Sequence, residues 1–80
     1  MPVIANLSGI IIRLLSLPLL GTRLHAFHGD TEVVLDLDNL RWLSTTPPAR
    51  LREPVMEWAR RHRWEILRSL SGARAPFRAA

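Results

Sequence analysis

His25 and Glu32 are the first residues whose types and spacing could do chemistry. Set diagonally across a strand pair, a carboxylate orients an imidazole and fixes its tautomer, which acid–base work requires. Arg23 and Arg41 would supply planar forks of donors for an anion beside them. Such a set would bind phosphate or cleave RNA, with His25 and Glu32 catalytic and the arginines binding. Its bland counterpart is a charge-paired sheet face with a half-buried histidine. A second group is Trp64 with Arg60, Arg61 and Arg68 at i−4, i−3 and i+4. An indole flanked by guanidinium groups can stack a nucleobase or anchor a protein interface, although Glu57 and Glu65 can pair with some of these arginines. His62 falls within an apolar helical stripe between Trp58 and Ile66, where a polar ring needs a hydrogen-bond partner. It reads as structural unless it reaches the sheet and meets His25. His28 projects opposite to His25 on a regular strand, so the two cannot share a metal. Neither a metal site nor a cofactor is expected.

Residues 24–43, LHAFHGDTEVVLDLDNLRWL, supply the frame for the first group. Gly29-Asp30 is a two-residue hairpin signal and Asp38-Asn39 a weaker one. Accepting both places Phe27 opposite Glu32, His25 opposite Val34, Leu24 opposite Leu35 and Arg23 opposite Asp36. Across the second turn Asp36 meets Arg41 and Leu35 meets Trp42. Because successive side chains alternate faces, Leu24, Ala26, Val33, Leu35, Leu37, Leu40 and Trp42 share one face. Arg23, His25, Phe27, Glu32, Val34, Asp36, Arg41 and Leu43 share the other. Two independent turns yield one apolar face and one charge-matched row, Arg23–Asp36–Arg41, which supports the register.

The flanks complete the frame. The stretch from Pro2 to Leu15 is mostly β-branched and reads as a strand with a bulge at Gly9. Leu14 to Gly21, LLSLPLLG, sits where a loop should be; Leu17, Leu19 and Leu20 there either fold over the core or dock a partner. Ser44 to Pro48 is a connector in which Thr45 or Thr46 can cap a helix. Helical spacing from Leu51 to Leu70 aligns Leu51, Val55, Trp58, Ala59, Ile66 and Leu70. Pro54 implies a kink there or a start near Glu53, and Ser71-Gly72 ends the helix. The expectation is one α+β domain over residues 1–72, with a flexible tail over 73–80. It comprises a small antiparallel meander of three to four strands packed by one long C-terminal helix, with Gly29, Trp42, Trp58 and His62 in structural roles.

Composition sets the bounds. Eighty residues without cysteine exclude disulfides and thiolate metal sites, and a chain this short buries only about 60% of its unfolded surface. All eleven basic residues are arginine. Residues 1–40 carry two arginines against four acids, a balance of −2, and residues 41–80 carry nine against three, a balance of +6. The basic half suits nucleic acid or an acidic protein. The apolar run Ile10 to Leu20 falls short of the roughly 20 residues of a membrane span and lacks the pattern of a signal peptide. A soluble, cytoplasmic protein is expected.

Three segments, MPVI…GIII, LHAFHGDTEVVLD and VMEWARRHRWEIL, together resemble the small bacterial family catalogued as domain of unknown function 4160. The resemblance extends to about Leu70. Members open with MP-x-I…GI-x-I, continue with HFHA-x-YG-x-x-E and finish with EWA-x-x-H-x-x-EL. His25 and Ala26 match the second His and the Ala of HFHA, and Gly29 and Glu32 match YG-x-x-E. Glu57, Trp58, Ala59, His62 and Glu65 match the helix motif. Arg23 stands for the first His, Leu24 for the Phe and His28 for the Tyr. LLSLPLLG replaces a polar, Tyr- and Pro-rich loop, Leu70 a frequent Trp, and Trp64 a usual Glu. No activity comes with the resemblance. It implies a toxin–antitoxin-like two-gene system whose protein partner belongs to another small family, numbered 2442, and the leucine-rich swap favours a protein partner. The expected function is a protein-interaction module in such a system or in a larger complex. The alternatives are a small ribonuclease-type toxin using His25 and Glu32, or a nucleic-acid-binding protein using the Arg/Trp helix face.

Overall fold

A computed structural model describes residues 3–17, 19, 21–43 and 46–72, with side chains as far as 69. Its first element is a hairpin where the sequence suggests one bulged strand. β1 (Val3–Leu7) and β2 (Ile10–Leu17) pair antiparallel, with Leu7 opposite Ile10. The two residues between them, Ser8 and Gly9, both have positive φ, 53° and 97°. Glycine adopts this freely, and Asn6 Oδ1 holds the turn by accepting the Gly9 amide at 2.8 Å. The Ser-Gly pair is therefore a turn rather than a bulge; the irregularity lies in β1, between Val3 and Ala5.

β3 (Gly21–His28) follows, paired to β2 through Leu17 opposite Gly21, Arg13 opposite His25 and Ile11 opposite Phe27. The leucine-rich segment expected as a loop is thus mostly strand. Leu14 is buried, Leu15 and Leu17 are half-buried, and Leu19 (φ 71°) stands fully exposed at the turn. Pro18 and Leu20 lie outside the described residues. Strand alternation in IIIRLLSL is masked because both faces take aliphatic side chains. β4 (Thr31–Asp36) and β5 (Arg41–Trp42) close the sheet in the order β1-β2-β3-β4-β5, five strands where three to four are expected. The predicted register holds throughout, from His28 opposite Thr31 to Arg23 opposite Asp36, then Leu35 opposite Trp42 and Asp36 opposite Arg41. The Leu43 amide continues it, donating to the Val34 carbonyl at 2.8 Å. The second turn spans residues 37–40, with Leu40 at φ 57°.

α1 (Ala49–Gly72) lies across one face of the sheet. Leu51, Val55, Trp58, Ala59 and Ile66 bury against Ile10, Ile12, Leu14, Leu24, Ala26, Val33, Leu35 and Leu37. The helix starts before Glu53 and continues through Pro54. The carbonyl that Pro54 leaves without an amide partner is that of Arg50, in the first turn, so the rest of the ladder is untouched. Pro48 sets the start, its carbonyl accepting the amides of Leu51 and Arg52 at 2.9 Å. Of the two proposed caps Thr46 is exposed and Thr45 lies outside the described residues, as do Ser44 and the tail 73–80. The fold class is α+β as expected, an antiparallel meander packed by one C-terminal helix.

Candidate functional site

One helix covers one face. The other face carries Ile11, Arg13, Leu15 and Leu17 from β2, Arg23, His25 and Phe27 from β3, and Glu32, Val34 and Asp36 from β4. Arg41 and Leu43 extend it. None of these twelve residues is buried. Strand alternation puts them there, because every second residue of β2, β3 and β4 faces away from α1.

His25 and Glu32 meet on this face. The diagonal between facing pairs brings His25 Nδ1 to 2.8 Å from Glu32 Oε2. Glu32 is about half exposed and His25 mostly enclosed, with side-chain exposures of 46% and 16%. The His25 ring runs near-parallel to Phe27, centroids 6.4 Å apart, and the Arg13 guanidinium lies 5.7 Å from the centre of the Phe27 ring. Nδ1, facing a carboxylate, carries a proton. Nε2 is the nitrogen left for proton transfer, but it is sealed from solvent and has no hydrogen-bond partner among the described residues. Arg23 Nε is enclosed in the same way. Asp36 does not close the expected row with Arg23 and Arg41; its Oδ1 accepts the Asp38 amide at 2.9 Å. The arrangement can hold His25 rigidly. Proton transfer to a substrate would first need the cover over Nε2 to move.

The helix residues divide into two sets. His62 does not cross to His25. Its ring packs on Trp58 with centroids 4.4 Å apart, and Nδ1 is 3.6 Å from Glu65 Oε2. Arg61 pairs with Glu57 at 3.1 Å, both exposed. Trp64 is 65% exposed, as the sequence suggests. Its nearest cation, however, is Arg63, whose Cζ is 4.4 Å from the indole centre. At i−1, Arg63 does not share a helix face with Trp64 by spacing alone. Its long stem turns toward the β4–β5 turn, where Nε donates to the Leu37 carbonyl at 2.8 Å and a terminal nitrogen donates to the Asp38 carbonyl. A sequence signal existed, since a four-residue turn has unpaired carbonyls that a guanidinium fork can fill. His28 lies on the helix side of the sheet and accepts from Arg50 Nε at 3.4 Å. Among the described residues no three His, Asp or Glu side chains gather as metal ligands, and no helix is long and apolar enough to cross a membrane.

No protein-family model, curated protein or solved structure matches the chain.

Proposed function

We propose that this chain is a small cytoplasmic protein-interaction module, a component of a toxin–antitoxin-like two-gene system or a subunit of a larger complex. Its partner would be a protein chain lying on the sheet face that α1 leaves uncovered. The observation that carries this reading is the content of that face. Ile11, Leu15, Leu17, Phe27 and Val34 are only half-buried and Leu43 is 48% exposed, around an Arg13–Phe27 stack. Apolar, aromatic and arginine side chains suit the buried centre of an interface, and the Glu32 and Asp36 carboxylates on the same face suit its polar contacts. Leu19 extends the patch at the β2–β3 turn. The resemblance to family 4160 supports the same reading, since it implies a neighbouring gene product of family 2442 as the partner.

The test is co-expression with the adjacent gene product, followed by size exclusion with light scattering. A stoichiometric complex is expected, and Leu15→Asp should abolish it while leaving the circular dichroism unchanged. A monodisperse monomer that ignores the adjacent product, or a complex indifferent to Leu15→Asp, removes the proposal. A small ribonuclease is the second reading, and the 2.8 Å His25–Glu32 contact favours it. The enclosure of Nε2 places it second.

A further inference from the structure

We infer that α1 carries a binding track for single-stranded nucleic acid, separate from the sheet face proposed for a protein partner. Residues four apart on a helix form a ridge. In α1 one such ridge reads Arg52, Met56, Arg60, Trp64, Arg68. Arg52, Met56 and Arg60 line a cleft together with Trp42 of β5. From there the ridge winds outward to the exposed Trp64 and to Arg68, rising about 6 Å per step.

Three features select the occupant. Arg52, Arg60 and Arg68 are exposed and make no ion pair among the described residues. The acids nearest the track are Glu53 and Glu57, which also line the cleft, and Glu65, one turn from Arg68; Glu57 is already held by Arg61, and Glu65 lies 3.6 Å from His62. The track is therefore cationic, in the half of the chain with a balance of +6. Trp64 is also held in place. Arg63 stacks on the indole while its donors grip the Leu37 and Asp38 carbonyls, so the ring sits on a support anchored to the sheet. A fixed, exposed aromatic surface between cations stacks any base and leaves arginines for the flanking phosphates. A chain of phosphates with flat bases between them matches this alternation; an acidic peptide offers charge without the regular flat groups.

The test is fluorescence anisotropy of end-labelled 12-residue oligouridylate and oligothymidylate on the whole chain, titrated across salt. Binding that weakens with salt is expected. Trp64→Ala should weaken it about 5- to 150-fold, the range found for losing one base stack, while Trp64→Phe keeps most of it. Replacing Arg52, Arg60 and Arg68 by alanine should lower the slope of log affinity against log salt by about 2, at roughly 0.7 per phosphate contact. All these positions are exposed, and circular dichroism should show the helix intact. Absence of binding at low salt, affinity indifferent to Trp64→Ala, or a polyglutamate peptide that competes with the same Trp64 dependence would each overturn the inference. The last would assign the track to an acidic protein. Leu15→Asp should leave oligonucleotide binding unchanged, so this track and the sheet face fail or stand separately.

Discussion

Arg63→Ala should destabilise the protein by about 1–2 kcal/mol although no residue of the apolar core is touched. Arg63 joins the helix to the β4–β5 turn through two hydrogen bonds from one guanidinium. A hydrogen bond to a charged group contributes roughly 1.5–3 kcal/mol when its surroundings are dry. The bond to the Leu37 carbonyl is part-buried and the one to Asp38 is exposed, so only the first approaches that value. Truncation also returns rotamer freedom to a long side chain, worth up to about 2 kcal/mol, which offsets part of the loss. Alanine is a slightly better helix former than arginine, so local propensity cannot cause a deficit. The assay is urea unfolding followed by tryptophan fluorescence. With a slope near 1 kcal/mol per molar urea for a chain this small, the midpoint should fall by about 1–2 M. Arg63→Lys should recover less than half of this, because one ammonium cannot span two carbonyls as a planar fork does. If Arg63→Ala unfolds within about 0.3 kcal/mol of the parent, the guanidinium is a surface contact and the anchored-indole argument fails with it.

Two further outcomes follow from the same geometry. Gly21 sits at φ 90°, and a Cβ there would lie 2.4 Å from Asp38 Oδ2, which accepts the Thr22 amide at 2.9 Å. Gly21→Ala should cost about 2–4 kcal/mol through backbone strain and the displaced carboxylate. Measured by urea unfolding, the double variant with Asp38→Ala should cost less than the sum of the singles; strict additivity would contradict the contact. His25→Phe should leave stability unchanged or raise it by about 1 kcal/mol, since it removes an enclosed nitrogen without a partner and gives up one contact to a half-exposed carboxylate. Calorimetry checks this, and a loss above about 2 kcal/mol would refute it; the disappearance of an RNA cleavage that the parent shows would instead move the ribonuclease reading to first place.

The meander from Leu24 to Trp42 was legible in sequence because its signals are local. A two-residue turn and the pleat leave one register that sorts Leu24, Ala26, Val33 and Leu35 onto one face. The helix stripe was legible for the same reason, from Leu51 to Ile66. Where both faces of a strand are aliphatic, alternation vanishes, so by sequence β2 reads as part strand and part loop, and Gly9 as a bulge rather than half of a turn. That His25 and Glu32 stand close follows from the register. That Nε2 is enclosed without a hydrogen-bond partner among the described residues depends on how the side chains of that face pack, which the register alone does not set. Likewise Trp64 could be placed on the outer side of the helix from its position alone. Its support by Arg63 required the β4–β5 turn to arrive beneath it, a meeting between residues 25 and 26 apart in the chain that only the packed fold decides.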